Sequence, residues 1–161
     1  MLIVFSGLPG TGKTTIAREL ARATRAVHLR IDSIEQAMRE AGIEVEGEGY
    51  SVAYAVAEDN LEAGLTVIAD CVNPWPLTRD AWRAVATDAG SSALEVEFVC
   101  SDAGEHRRRL DSRSAGPTWQ EVLDRDYKPW NRDRLVLDTS RMSVHACVSA
   151  ISAAFKRFGT P

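Results

Sequence analysis

The sequence predicts an α/β protein, a parallel β-sheet wrapped by helices on both faces. Three observations predict it. Five short β-like runs alternate with helical segments along the 161 residues. The first and third runs are apolar in character, as expected of parallel strands buried on both faces. Cap-type residues and glycines fall at the ends of the helical segments. A chain of this length predicts one domain, residues 1–161, with no internal repeat or low-complexity tract.

Taken in order, "LIVF" (Leu2 to Phe5) is the first strand, and Lys13 to about Thr24 places Ile16, Ala17, Leu20 and Ala21 at helical spacing. "AVHLRI" (Ala26 to Ile31) is the second strand. Ser33 can N-cap a helix running to about Ala41, and Ser51 can cap another ending before Gly64. "LTVIAD" (Leu65 to Asp70) is the third strand. Thr78 then opens "TRDAWRAVATDAG", closed at Gly90 as a helix C-cap would close it. "ALEVEFVC" (Ala93 to Cys100) is the fourth strand. Asp102 with Glu105 makes a capping-box-like start for "DAGEHRRRLDSR". "RLVLDT" (Arg134 to Thr139) is the fifth strand, and a last helix runs from about Ser143 to Phe158. The turn-rich stretches are "GIEVEGEGY" (Gly42 to Tyr50), "VNPWP" (Val72 to Pro76) and "SRSAGP" (Ser112 to Pro117). Binding loops of such a sheet lie beyond the carboxyl ends of its strands, and "VNPWP" leaves a strand end directly.

Acidic residues outnumber Lys and Arg by 23 to 19, a formal net charge of -4. No global field therefore draws the chain to nucleic acid or to an anionic membrane, although a local basic patch could exist. No apolar stretch approaches the ~20 residues that span a bilayer. The opening "MLIVF" lacks the charged start and cleavage site of a signal peptide. Cys71, Cys100 and Cys147 show no metal spacing and read as free thiols in a reducing compartment. The expected location is cytoplasmic.

The segment Gly7-Leu8-Pro9-Gly10-Thr11-Gly12-Lys13-Thr14 fits G-x-x-x-x-G-K-[ST] between a buried strand and a helix. A polyphosphate is held by a ring of backbone N–H groups, and Gly7, Gly10 and Gly12 let the main chain approach and curve. Thr11 lies within the same loop. Lys13 offers an ammonium to the terminal phosphates, and the helix N-terminus adds its dipole. Thr14 is placed to give a hydroxyl to Mg²⁺, with Thr15 as a further phosphate contact. The ligand expected is a nucleoside triphosphate. Asp70, ending the third strand, reads as a Walker B carboxylate that orders the Mg²⁺ shell; ending the strand in a turn is its alternative reading.

At these residues the chain resembles the small P-loop kinases, among them gluconate kinase, adenylylsulfate kinase, chloramphenicol phosphotransferase and the kinase module of polynucleotide kinase. It is most similar to short bacterial AAA-family ATPases of kinase type, over nearly its whole length. The resemblance implies a P-loop NTPase three-layer αβα sandwich with a five-stranded parallel sheet of order 2-3-1-4-5. It implies ATP with Mg²⁺, an acceptor pocket between the second and third strands, and a helical lid after the fourth strand, here about residues 104–118.

Members of this family carry an aspartate after the second strand that takes the acceptor hydroxyl's proton, a position held here by Asp32. A helix N-cap is the alternative role for Asp32. Polynucleotide kinases resemble a D-x-x-R pattern here, and Glu35 stands where that arginine would be. The departure counts against a phosphorylated acceptor. Asn73 can donate and accept toward a hydroxylated or amide-bearing ligand. Arg79, in the first turn of its helix, suggests an anionic partner, with pairing to Asp80 or Glu58 as the alternative. Trp75 can wall the pocket, Trp82 fits the buried stripe of its helix, and Tyr50 and Tyr54 border the acidic loop "EVEGEGY".

"EHRRRLDSRSAGP" is the basic cluster of the chain. It is either a solvated helix face or a lid whose guanidinium groups meet the transferring phosphoryl. Arg109 and Arg113 are four apart, which predicts a shared face and matches an R-L-x-x-R-like lid pair in the family. Gly116-Pro117 would be a hinge, and Asp138 and Thr139 are candidates beside the base. The reading is an ATP-dependent phosphotransferase acting on a hydroxyl of a small molecule, as monomer or homodimer. Its rivals are a polynucleotide 5'-hydroxyl kinase, an ATP-binding switch without acceptor, and an NTPase domain of a larger assembly. The acidic charge, the acidic loop and Glu35 speak against a nucleic-acid partner.

Overall fold

The computed structural model describes residues 1–114 and 116–158. Five strands form one sheet: β1 (Leu2–Ser6), β2 (Val27–Arg30), β3 (Val67–Asp70), β4 (Ala93–Val99) and β5 (Leu135–Asp138). Their order is β2-β3-β1-β4-β5, and all pairs are parallel. The central strand is β1, whose residues are all buried, which is why it reads as an unbroken apolar run.

The helices are α1 (Lys13–Thr24), α2 (Ile31–Glu40), α3 (Glu48–Glu62), α4 (Pro76–Asp88), α5 (Ala103–Asp111), α6 (Trp119–Leu123) and α7 (Val144–Phe158). They cover both faces of the sheet. On one face Leu2, Val4, Val67 and Ala69 pack with Ala53, Ala57 and Leu61 of α3 and Trp82 and Val85 of α4. On the other, Ile3, Phe5, Ile68, Val96 and Phe98 pack with Ile16, Ala17 and Leu20 of α1 and Cys147 and Ile151 of α7. Alternate residues of β1 thus feed opposite cores, and burying each large aliphatic or aromatic side chain contributes about 1.5–3 kcal/mol. The layers are helix, sheet, helix, as the resemblance implies.

In β4 the alternation has a further consequence. Leu94, Val96 and Phe98 face α1 and α7, so Glu95 and Glu97 face the other way, and both are buried. Arg132 and Arg83 approach Glu95, at 3.4 and 3.6 Å, while Arg134 pairs with Glu97 at 2.7 Å. Tyr127 also donates to Glu97. Residues 124–134 therefore form a polar strap across this part of the sheet.

Several helix starts depart from the sequence reading. Helix α2 follows β2 without a loop and has no side-chain cap, so Asp32 and Ser33 both lie in its first turn. Neither is the cap, which removes the alternative role for Asp32. Helix α3 begins three residues before Ser51, because the Glu48 carboxylate accepts the N–H groups of Glu46 and Gly47. Pro76 at the first position opens α4 ahead of Thr78. The Asp102 side chain does accept from the Glu105 N–H, at 2.9 Å. Helix α6 is an addition to the expected elements. Its capping box, Thr118 with Glu121, is a visible T-x-x-E signal in a stretch that begins at the end of the expected lid and was assigned to no element. Among the described residues, no helix is long and apolar enough to cross a membrane.

Candidate active site

The loop between β1 and α1 curves through left-handed glycines. Gly12 has φ 86° at the head of α1. At Gly7 (φ 139°) a Cβ would collide with the carbonyl oxygen of Phe98 in the neighbouring strand, so only glycine fits there. Lys13 opens α1 with its ammonium buried, donating to Gly7 O at 2.7 Å and Leu8 O at 2.9 Å. Thr11 is also buried, its hydroxyl on Leu8 O, while Thr15 is exposed on the following turn. Burial pushes the Lys13 pKa down to about 8, against the pull of Asp70 and Asp32 and with added repulsion from Arg113. Charges from three other segments therefore bear on one ammonium.

Asp70 is the buried last residue of β3. Burial disfavours its charge, but a 3.2 Å bond to His28 Nε2, the Lys13 ammonium and the Thr14 hydroxyl outweigh that. Its carboxyl is held below the ordinary aspartate value. An ionised carboxylate and a hydroxyl, side by side at the mouth of a phosphate loop, are hard oxygen donors that fit Mg²⁺. His28 escaped the sequence reading, although its alternation with Leu29 in "VHLR" was a usable signal. So did His106, which supports the loop from below with Nε2 2.7 Å from Pro9 O.

Beyond the ends of β2 and β3 lies a cleft of about 440 Å³. Asp32 is in its wall, exposed and bonded by Arg30 at 2.7 Å. Tyr50, Tyr54 and Trp75 line it as well. Trp75 is 46 % exposed and its Nε1 donates to Asp126, so the ring is fixed as a wall between its two prolines. Trp82 is fully buried, as its helical spacing indicates.

Two residues expected on the acceptor are corrected. Arg79 is buried, and its guanidinium donates to the carbonyls of Asn73, Pro74, Lys128 and Pro129. It stacks over Trp130 at 4.1 Å and pairs with neither Asp80 nor Glu58. Arg79 is thus a clamp between the "VNPWP" loop and the strap. Asn73 is likewise buried and absent from the cleft wall. Its Nδ2 donates to Ser6 Oγ at 3.0 Å and its N–H to the Tyr50 hydroxyl at 3.1 Å. At φ 52° it occupies the left-handed region, which asparagine tolerates.

The shared face for the two lid arginines is also corrected. Helix α5 stops at Asp111, so Arg113 lies beyond it, exposed and with no ion pair among the described residues. Arg109 stays on the helix. Its Nε meets Glu105 at 2.6 Å and its other nitrogens donate to Thr139 Oγ1 and O. Arg109 so lies beside Gly12, at the nucleotide end, whereas Arg113 acts on Lys13. Asp138 accepts from Ser101 and Ser140, which hold it ionised. In the expected lid, residue 115 lies outside the described residues.

The chain is 25 % identical over 174 residues to a protein of Aeropyrum pernix described as "Probable adenylyl-sulfate kinase", covering 97 % of this chain and 92 % of that one. Among solved structures it is similar to the Mycobacterium tuberculosis APS kinase in complex with AMPPNP and APS, with TM-score 0.71, 16 % identity and 96 % of both chains covered. It is also similar to a gluconokinase from Sinorhizobium meliloti 1021, with TM-score 0.66, 17 % identity and 99 % and 97 % covered. At those identities the two structures speak for the fold. With the profile of the AAA domain family matching residues 2–137, the chain belongs to that family.

Proposed function

We propose that the protein is an ATP-dependent phosphotransferase that moves the γ-phosphoryl group to a hydroxyl of a small-molecule acceptor. The observation that supports it is a phosphate loop with a buried Lys13 and Asp70 beside a cleft that carries the Asp32 carboxylate in its wall. A switch without an acceptor has no use for a carboxylate in the wall of a 440 Å³ cleft beside the phosphate loop.

The residues divide the work as follows. The N–H groups of the loop from Gly7 through Thr15, including Gly10 and Gly12, hold the phosphates, and Lys13 neutralises the terminal ones. Mg²⁺, held by Thr14 and ordered by Asp70, would offset charge on the phosphates when bound. Arg30 orients the Asp32 carboxylate. Asp32 then positions the acceptor hydroxyl and takes its proton as the new O–P bond forms and the bond from Pγ to the ADP oxygen breaks. Arg113 meets the charge that spreads over the transferring group, and Arg109 packs on the nucleotide at Thr139. Helix α5 with the turn up to residue 118 acts as a lid that excludes water, and Gly116-Pro117 bends it.

The test has two steps. A thermal-shift screen of hydroxyl compounds, with Mg²⁺ and a non-hydrolysable ATP analogue present, finds the acceptor by the stability it adds. Asp32→Asn is then compared with the parent. Transfer should fall by ~10²–10⁴-fold, while calorimetry gives nearly the same affinity for the analogue. Transfer at the parental rate would remove the base and leave the ATP-binding switch as the better reading.

A further inference from the structure

We propose that the acceptor carries a protonated amine as well as its hydroxyl, on an apolar ring-bearing body, with the amine held at Glu46. The proposal rests on the phosphotransferase reading and names the chemical class that its cleft accepts. The charged groups facing the cleft come from three segments. Helix α2 contributes Asp32 and Glu35, the loop before α3 contributes Glu46, and the strap contributes Arg125. An anionic acceptor would thus meet three carboxylates and one guanidinium, that of Arg125.

The carboxylates differ in what engages them. Asp32 is bonded to Arg30 and Glu35 to Arg39, at 2.7 and 2.9 Å. Glu46 has no ion pair among the described residues and is exposed at the cleft rim. Arg18 and Arg30 line a separate hollow of about 240 Å³. In the acceptor cleft three carboxylates thus stand against the single guanidinium of Arg125, and Glu46 is the one carboxylate of the three without an ion pair among the described residues.

Apart from Ser51 and Thr78, the rest of the wall is mostly apolar or aromatic. Ile31, Tyr54, Trp75 and Leu77 line it, and Leu77 is 77 % exposed there with no protein partner that buries it. Such a surface rewards a flat or aliphatic body over a fully hydroxylated one. Tyr50 and Trp75 add ring faces that attract a cation. Asp32 and Glu46 lie on different segments of the same cleft, so one ligand can present its hydroxyl to the first and its ammonium to the second.

The test uses one aryl alcohol in three forms: with a free amine, with the amine acetylated, and with a carboxylate in its place. Phosphorylated product is measured by mass spectrometry and ADP by a coupled assay, with ATP and Mg²⁺. The amine form should show the highest kcat/KM, about fivefold or more above the acetylated one. Glu46→Gln should bring that ratio close to one through KM, and Glu46→Lys should turn the preference toward the carboxylate. A parental preference for the acetylated or carboxylate form overturns the proposal and leaves the phosphotransferase reading standing. An amine preference that Glu46→Lys does not move also overturns it. Transfer to none of the three, with ATP still bound, overturns this proposal and leaves the phosphotransferase reading to its own test.

Discussion

The nucleotide cradle and the acceptor cleft sit side by side at the carboxyl ends of the same strands, yet they are built from opposite materials. The cradle is main chain and buried polar groups: Ser6, Thr11, Lys13 and Asp70 are all inaccessible. The cleft is made of exposed side chains, among them Asp32, Glu46, Trp75 and Leu77. Holding a chain of phosphates dictates backbone conformation, and few sequences satisfy it. Holding an acceptor uses side chains on α2, α3 and the "VNPWP" loop, which can change without disturbing the sheet. One half is consequently a fixed frame and the other an adjustable wall.

The most severe break of that division concerns Arg79, which belongs to neither half but joins the cleft to the strap. Arg79→Ala would leave the carbonyls of Asn73, Lys128 and Pro129 without a donor, with Pro74 O keeping only the Lys128 N–H, and a void beneath Trp130, a loss of about 3–5 kcal/mol. Urea denaturation should show the fall in midpoint. A residue that binds the acceptor would behave differently, raising its KM with stability kept. If Arg79→Ala melts like the parent, the clamp is not what holds the loop.

Lys13→Ala tests the frame itself. The residue ends a strand-to-helix loop, so the fold should survive, while phosphoryl transfer should drop ~10²–10³-fold, the usual cost of losing one donor to developing charge. Undiminished ATP turnover by the folded variant would sink the assignment of the loop.

The same division explains what could be read in the sequence. Gly7 to Thr14 and the end of the third strand were legible because the geometry of a phosphate loop admits few residues. The five strands were legible from their runs, though Ala26, Ile31, Leu65 and Thr66 fall outside the strands observed. Arg79 was misread because its position at a helix start says nothing of the two carbonyls, of Lys128 and Pro129, that a distant strap brings to it. Asn73 was misread for the same reason: its partners, Ser6 and Tyr50, are 67 and 23 residues away. Asp32 lies two residues past the second strand, inside the first turn of α2, because a cap needs a loop before the helix and here there is none.

A pH titration compares the halves with a smaller effect. The Lys13 ammonium titrates at about 8 in the fold against 10.5 when free. Because that pKa is lowered, the fold bears the full cost of the charge below pH 8, and the cost fades as pH rises toward 10.5. Phosphates need the protonated form. The dissociation constant of a non-hydrolysable ATP analogue should therefore be flat below pH 8 and rise above it, by at most about tenfold per pH unit. A flat profile up to pH 10 would mean that Lys13 keeps its proton despite burial.

The gentlest probe is Tyr50→Phe, because Tyr50 belongs to the cleft but touches the frame. Its hydroxyl accepts the N–H of Asn73, and the Asn73 side chain in turn reaches Ser6, the residue before the phosphate loop. One residue earlier, the Gly7 N–H donates to Val72 O at 3.0 Å. The "VNPWP" loop is thus tied to the cradle at two successive residues, one tie between main-chain atoms and the other through side chains. Phenylalanine keeps the ring and its 6.0 Å contact with Tyr54, so the wall is preserved and only the hydroxyl is lost. A buried N–H without a partner should then cost about 1 kcal/mol, visible as a modest fall in the urea midpoint. The main-chain tie remains, so affinity for the ATP analogue should change little while the KM of the acceptor rises. Equal losses on both sides would show that Asn73 transmits the wall's position into the cradle, and the separation of frame from wall would fail at this residue.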